Sequence, residues 1–182
     1  NSIYKKPKLE KKHTYLLQHF KGVVIESNEL NIDPKQIYLM DFRTSQENGN
    51  TFFYVLPTSK TTALVEYTLF SDKLLEMEIY DQRIEEYITE VLNIKDYKIL
   101  DSEFGVIPMT DYPFPRADGN IINIVTVGGD TRGSTGYTFT NTQKTITKII
   151  NSYQSTGTPH YTEEHISPKH KLYYITLLKL LA

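Results

Sequence analysis

Residues 51–70 read TFFYVLPTSKTTALVEYTLF, and this stretch decides the predicted fold. Two runs rich in β-branched and aromatic residues, 51–58 and 63–70, are separated by a short polar link at 59–62. β-Branched and aromatic side chains suit a pleated, half-buried surface, whereas a short polar link suits a reversal of the chain. The pattern therefore predicts a β-hairpin.

The segments on both sides of the hairpin extend it into a mostly antiparallel sheet with packed helices. Residues 20–27 and 37–43 are predicted strands before it, and residues 96–109 return to strand character after it. Ser71 or Asp72 can cap a helix in between. Its apolar residues recur at the i, i+3, i+4, i+7 spacing: Ile84, Tyr87, Ile88 and Val91. This order of elements predicts the α+β class.

The last third of the chain predicts a strand, a loop and a helix. Residues 121–127 form a short apolar run, typical of a strand buried on both faces. A glycine-rich loop at 128–136 follows. A helix is then predicted near residues 140–153, with the apolar stripe Ile146, Ile149, Ile150 and Tyr153. Residues 155–170 are polar and predict a loop, and residues 171–182 predict an apolar helix.

Composition indicates a folded domain without thiol chemistry. The 182 residues are 39% hydrophobic and include no cysteine, so disulfides, thiolate metal sites and cysteine nucleophiles are excluded. A formal net charge of -2 gives no global attraction to nucleic acid, and we expect no nucleic-acid partner. The basic run at residues 5–13 is interpreted as a solvated loop. No apolar run approaches the ~18 residues of a membrane span.

The loop GGDTRGSTG at residues 128–136 is the first candidate site. Glycines let a backbone approach an anion closely, and a helix N-terminus supplies free N–H groups and a positive dipole end. Arg132 adds a charge that can pair with a phosphate. The spacing matches neither G-x-G-x-x-G nor a P-loop. A nucleotide contact and a flexible strand-to-helix turn therefore both stay open from spacing alone.

Glu66 is the candidate acid. Strand alternation places Leu64, Glu66, Thr68 and Phe70 on one face, and the opposite face is wholly apolar. If the Glu66 face lines a cavity, desolvation raises the pKa of its carboxyl group and keeps it protonated near neutral pH. If that face meets solvent, Glu66 simply marks a solvated surface.

Glu103 is the candidate second carboxylate. It opens the stretch EFGVIPM at residues 103–109, where glycine and proline within a strand indicate an edge, a bend or a close backbone approach. The alternative interpretation is a surface glutamate before a β-bend. His160, His165 and His170 lie five residues apart, which does not match H-E-x-x-H, and we expect no metal site.

Short motifs along the chain resemble, in order, those of the flavin-dependent lycopene cyclases. They are LQHFKG at 17–22, LMDFR at 39–43, YVLP at 54–57, LVEYT at 64–68, EFGVIPM at 103–109 and STGY at 134–137. Each motif is short, and their collinear order makes the resemblance specific. One departure is that Arg132-Gly133 stands where many members carry a histidine, so no catalytic role of that histidine carries over.

The resemblance implies roles for particular residues. Glu66 would be the catalytic acid, alone, because Tyr67 occupies the second acidic position of the family motif. Tyr67 and Phe70 would line the substrate pocket. The flavin contacts would fall on Pro108, Gly128, Gly129, Arg132, Ser134, Thr135 and Gly136.

The implied activity is the cyclisation of the ends of lycopene to β-ionone rings, with reduced FAD and no net redox change. NAD(P)H is the candidate reductant, and lycopene or a related carotenoid is the expected substrate. Because lycopene is dissolved in membranes, we expect a cytoplasmic protein with peripheral membrane contact. The alternatives are a related flavoprotein monooxygenase or prenyl-chain reductase, or a non-catalytic domain that binds a hydrophobic ligand.

The resemblance also implies a division of the chain. Residues 1–17 would be a remnant of the flavin-domain connection, and 18–120 an antiparallel-sheet substrate-binding domain. Residues 121–154 would form a flavin-contacting strand-loop-helix, and 155–182 a loop and a truncated apolar helix. The family's G-x-G-x-x-G segment lies upstream of these motifs, so we expect a fragment of a longer protein that is inactive alone.

Overall fold

The computed structural model describes residues 1–161 and 166–182. The chain forms two compact units. Leu17–Ile107 is one unit, and Asn1–Leu16 together with Pro108–Ala182 is the other. Helices and a mostly antiparallel sheet are both present, which confirms the predicted α+β class.

One five-stranded sheet carries the hairpin at its centre, in the order β2-β3-β4-β1-β5. The strands are β1 Tyr15–Glu26, β2 Tyr38–Asp41, β3 Asn50–Pro57, β4 Thr62–Ser71 and β5 Lys98–Thr110. The pairs β2–β3, β3–β4 and β1–β4 are antiparallel. The hairpin predicted from residues 51–70 is therefore confirmed as β3 and β4.

The helix that follows the hairpin packs across one face of this sheet. It runs as α1 Met77–Glu86 and continues as a π-helical turn, Tyr87–Val91. The predicted apolar stripe is confirmed, because Ile84, Tyr87 and Ile88 are buried. The predicted caps are wrong: the helix begins after Glu76, and Ser71 is still part of β4, where its hydroxyl donates to the Lys73 carbonyl.

The core of the Leu17–Ile107 unit lies between α1 and the odd-numbered side chains of β1, β3 and β4. Its fully buried members on the strands are Ile25, Phe53, Val55, Ala63, Val65, Tyr67 and Leu69. Phe53 stacks on Tyr87 with ring centroids 3.8 Å apart and planes 6° from parallel. Because side chains alternate along a strand, the even-numbered residues, Glu66 among them, lie on the opposite face.

Polar contacts also fix α1 to the sheet. The Tyr80 hydroxyl and the Nδ1 atom of His19 are 2.5 Å apart, and the Nε2 atom of His19 lies 2.7 Å from the Ser71 hydroxyl. Burial lowers the pKa of His19, which favours the neutral form of the imidazole in this network. The hydrogen bonds satisfy groups that would otherwise destabilise the core.

In its described residues, 1–16, 108–161 and 166–182, the other unit contains two helices, a small hairpin and a tight turn. Its elements are β6 Ala117–Asp118, β7 Ile121–Ile122, the 3₁₀ turn Val125–Gly128, α2 Phe139–Thr156 and α3 Pro168–Leu181. The predicted helices near 140–153 and 171–182 are confirmed. In α2 the buried side chains are Asn141 and Thr145, whereas Ile150 and Tyr153 of the predicted stripe are exposed.

The predicted buried strand at residues 121–127 is wrong. Only Ile121–Ile122 is extended and paired, and Ile121 is 56% exposed. Val125 has a positive φ of 62°, and its N–H donates to the Asp130 carboxylate at 2.8 Å. This hydrogen bond turns the chain back, so the apolar run ends in a 3₁₀ turn.

No helix in the two described ranges is long and apolar enough to cross a membrane.

We predict that Phe53→Ala lowers the free energy of unfolding by about 3–5 kcal/mol, because it removes a fully buried ring and leaves a cavity against Tyr87. The matched control is Phe42→Ala, since Phe42 is 58% exposed. Urea denaturation followed by circular dichroism measures both variants. Equal losses in the two variants would contradict the proposed core.

Candidate active site

Glu66 lies in the middle of β4, on the face turned away from α1. Its register partners are Gly22 on β1 and Tyr54 on β3. The side chain is half-buried, and the buried Thr68 hydroxyl donates to its Oε1 atom at 2.7 Å. The carboxyl group therefore has a fixed position within the sheet face.

Burial is the main influence on the charge of Glu66. It raises the pKa of the carboxyl group, because the ionised form loses water. The hydrogen bond from Thr68 opposes this, since it stabilises the carboxylate. Glu103 raises the same pKa by charge repulsion and by hydrogen bonding. The net direction is upward, so Glu66 keeps its proton to a higher pH than an ordinary glutamate.

Glu103 lies on β5, and the structure brings it to Glu66. The Cγ and Oε1 atoms of Glu103 both lie 3.1 Å from the point where a Cβ of Gly22 would be. Gly22 itself faces Glu66 across the β1–β4 pair. The two carboxyl groups thus meet over a glycine.

The two residues predicted for the substrate pocket lie on opposite faces of β4. Phe70 is buried on the Glu66 face, with its ring edge-on to Phe52 at 5.4 Å. Tyr67 is fully buried in the core under α1, where its ring lies 5.1 Å from Phe53. The structure therefore does not bring Tyr67 to the face that carries Glu66.

The glycine-rich loop belongs to the other unit, where it joins the 3₁₀ turn to α2. Gly129 and Gly136 adopt left-handed conformations with φ of 73° and 70°. A Cβ on Gly128 would collide with the Asn123 carbonyl, and a Cβ on Gly133 with the Thr110 carbonyl. These positions need glycine because the backbone turns left-handed or packs directly on another backbone segment.

Asp130 organises this loop and was missed at the sequence level. Its Oδ1 atom accepts hydrogen bonds from the Arg116 guanidinium at 2.5 Å and the Thr145 hydroxyl at 2.7 Å. Its Oδ2 atom accepts the bond from Val125, and its backbone carbonyl accepts one from the Asn141 amide at 2.8 Å. An acidic residue directly after a glycine pair was the only signal in the sequence.

A cavity of about 180 Å³ opens beside the loop in the same unit. It is lined by three of the residues predicted to contact the cofactor, Pro108, Gly129 and Arg132. The Arg132 guanidinium lies 5.6 Å from the centre of the Tyr174 ring, which also lines the cavity. Binding pockets commonly measure ~300–1,000 Å³, so this cavity suits only part of a cofactor.

The remaining predicted cofactor residues lie in the loop without lining this cavity: Gly128, Ser134, Thr135 and Gly136. The Ser134 hydroxyl is buried and has no hydrogen-bond partner among the described residues. Such a group is costly unless a ligand satisfies it. The glycine backbone, the Arg132 guanidinium and the unsatisfied Ser134 hydroxyl are together a donor set that fits the phosphates or ring of a flavin nucleotide.

No group of three or more metal-binding side chains occurs in residues 1–161 and 166–182. His165, one of the three spaced histidines, lies outside the described residues.

The architecture is similar to that of part of a larger solved protein. This is a geranylgeranyl bacteriochlorophyll reductase-like protein from Thermoplasma acidophilum, with a TM-score of 0.57 and 12% sequence identity. The match covers 90% of this chain and 39% of the other, so this chain spans well under half of that protein's length. A tetracycline destructase, Tet(51), also matches, with a TM-score of 0.40, 13% identity and coverage of 94% and 46%.

The chain belongs to the lycopene cyclase family. The family model described as "Lycopene cyclase protein" matches residues 4–173, nearly the whole sequence. No curated protein matches the sequence significantly. The family resemblance inferred from the ordered motifs is therefore confirmed.

We predict that Asp130→Asn lowers the free energy of unfolding by about 3–5 kcal/mol, because it leaves the largely buried Arg116 guanidinium without its carboxylate. Asp118→Asn, at an exposed position of the same unit, is the matched control. Thermal and urea unfolding measure both. If Asp130→Asn proves as mild as the control, Asp130 does not organise the loop.

Proposed function

We propose that this chain carries the substrate-facing acid of an enzyme that cyclises the ends of lycopene, or of a closely related carotenoid, to β-ionone rings. The reaction is an isomerisation without net redox change. The observation that carries the proposal is Glu66, a half-buried acid with a raised pKa on the sheet face opposite α1 in a lycopene cyclase family member. Family membership supplies the substrate class.

Glu66 would begin the reaction as a general acid. Its proton adds to the terminal carbon–carbon double bond, a new C–H bond forms, and a carbocation remains. A second double bond of the same chain supplies the electron pair that closes the ring. A base then removes a proton to form the ring double bond, so the product has the formula of the substrate.

The surroundings of Glu66 suit a carbocation. On the same face, β4 and its two neighbouring strands carry aromatic side chains: Phe20, Phe52, Tyr54 and Phe70. Aromatic rings offer negative faces to a cation, and an apolar surface excludes the water that would trap it. Tyr67 contributes to this site only by supporting the sheet from the other side.

The flavin contacts are proposed for the loop and cavity of the other unit, with Pro108, Gly129 and Arg132 at the cavity wall. Gly128, Ser134, Thr135 and Gly136 would complete the contacts. When bound, reduced FAD would supply negative charge that stabilises the cation, with NAD(P)H as the reductant that maintains it. Arg132 would pair with a phosphate, and the glycines would let the backbone approach it.

A prenyl-chain reductase is the second candidate, because the architecture is similar to that of a geranylgeranyl bacteriochlorophyll reductase-like protein. A reductase consumes one equivalent of hydride per double bond removed, whereas a cyclase consumes none. The ratio of NAD(P)H oxidised to carotenoid converted distinguishes them. Because carotenoids dissolve in membranes, we also propose peripheral membrane contact for a cytoplasmic enzyme.

We predict that Glu66→Gln reduces cyclisation at least ~100-fold, because glutamine cannot deliver the proton. The complete gene containing this sequence is expressed in lycopene-accumulating bacteria, and the pigments are separated by chromatography. Glu26→Gln is the control, since Glu26 lies on the same sheet face at an exposed position. Near-normal turnover by Glu66→Gln would remove Glu66 from the mechanism.

We predict that Arg132→Gln weakens FAD binding about tenfold or more, because a charge-assisted hydrogen bond contributes ~1.5–3 kcal/mol. Purified enzyme is titrated with FAD and followed by flavin fluorescence. Lys144→Gln, an exposed change on α2, is the control. An unchanged dissociation constant for Arg132→Gln would show that Arg132 does not contribute to flavin binding.

A further inference from the structure

Glu66 and Glu103 belong to strands that do not touch. In the sheet order, β1 lies between β4 and β5, so the backbones of the two residues are two strand spacings, roughly 9–10 Å, apart. A side chain on β1 pointing to the same face would normally fill the space between them. The residue of β1 opposite Glu66 is Gly22, which has none.

The Glu103 side chain occupies the space that Gly22 leaves. Its Cγ and Oε1 atoms lie within contact distance of the missing Cβ, at 3.1 Å each, and Leu64 closes the site at 3.0 Å. Glu103 therefore crosses β1 towards Glu66, where its carboxyl group is close enough to raise the pKa of Glu66. The Cβ of an alanine at position 22 would crowd the side chains of Leu64 and Glu103.

Beside the carboxyl pair, a second glycine, on β5, also leaves space for a side chain of the adjacent strand. A Cβ on Gly105 would collide with the Phe20 ring, so that ring packs over the β5 backbone. Phe20 lies two residues before Gly22 on β1 and shares its face. The aromatic ring thus borders the carboxyl pair on one side, while Glu103 itself stays exposed.

The other titratable groups on this face cannot neutralise the pair. On β1, β3, β4 and β5, within the fully described Leu17–Ile107 unit, this face carries Glu26, Tyr54 and Asp101 besides the pair, and no lysine, arginine or histidine. Two adjacent carboxylates without a cation repel each other, and such a pair retains one proton.

We propose that Glu103 is a positioning residue that shares a proton with Glu66, and that Gly22 makes this pairing possible by leaving its side-chain space to Glu103. This role rests on the proposed acid catalysis by Glu66. Because Glu103 is exposed and Glu66 is half-buried, the pair also links the acid to solvent protons. Removing Glu103 leaves Glu66 in place but lets it ionise at a lower pH.

The pH dependence of cyclisation tests the proposal in the complete enzyme. Turnover requires protonated Glu66, so it falls as pH rises through the pKa of that group. In Glu103→Gln we expect this fall at lower pH than in the wild type, with turnover at pH 7 reduced about tenfold and turnover on the acid plateau within about twofold. Gly22→Ala should move the profile in the same direction. Asp101→Asn, on the same face of β5, should leave it unchanged.

An activity-independent readout separates this proposal from the proposed function. The C=O stretch of protonated Glu66 is followed by infrared titration, with the Glu66→Gln protein as the subtracted blank. Its midpoint should move to lower pH in Glu103→Gln. If the wild type cyclises nothing, the proposed function fails. The infrared midpoints of the wild type and Glu103→Gln still test whether Glu103 keeps Glu66 protonated. An unmoved midpoint, or a turnover loss equal at every pH, overturns the role of Glu103.

Discussion

The packing of α1 across one face of the sheet is the constraint on which the rest of the structure depends. The Phe53–Tyr87 stack and the contact between Tyr80 and His19 fix which side chains of β3 and β1 point inward, and the pairing of both strands with β4 extends that choice to β4. Since alternate residues of a strand face opposite ways, that choice also fixes which point outward. A register slip of one residue would bury Glu66 under the helix and expose Val65. The interactions that stabilise the core therefore also position the acid.

Local patterns predicted this part of the molecule well, and they could not predict the rest. The alternation at residues 63–70 is contained in eight consecutive residues, and it predicted the wholly apolar face that α1 covers. The proximity of Glu103 to Glu66 depends on the strand order, which places β5 beside β1. Nothing within either motif specifies that order. The sequence therefore identified both carboxylates, without showing that a glycine on a third strand brings them together.

The predicted buried strand at residues 121–127 was wrong for a related reason. An apolar run of seven residues fits a buried strand, and periodicity alone cannot distinguish that from other buried segments. The conformation is decided by Asp130, which binds groups from Arg116 to Thr145, about thirty positions apart in the chain. A carboxylate with partners so widely distributed leaves no local pattern. The glycines were identified correctly as special, because steric need for glycine is a property of single positions.

The proposed role of Glu66 as an acid requires two opposing influences on its carboxyl group, and the sheet face supplies both. A carboxyl group in a purely apolar site would hold its proton too strongly to transfer it, whereas a well-solvated one would be ionised before the substrate arrived. Burial and Glu103 favour the protonated form of Glu66, and the hydrogen bond from Thr68 stabilises the carboxylate that remains after transfer. Thr68 is fixed by the same strand two residues away, so its effect follows directly from the alternation of β4. The local pairing with Thr68 thus lowers the pKa of Glu66, and the long-range pairing with Glu103 raises it.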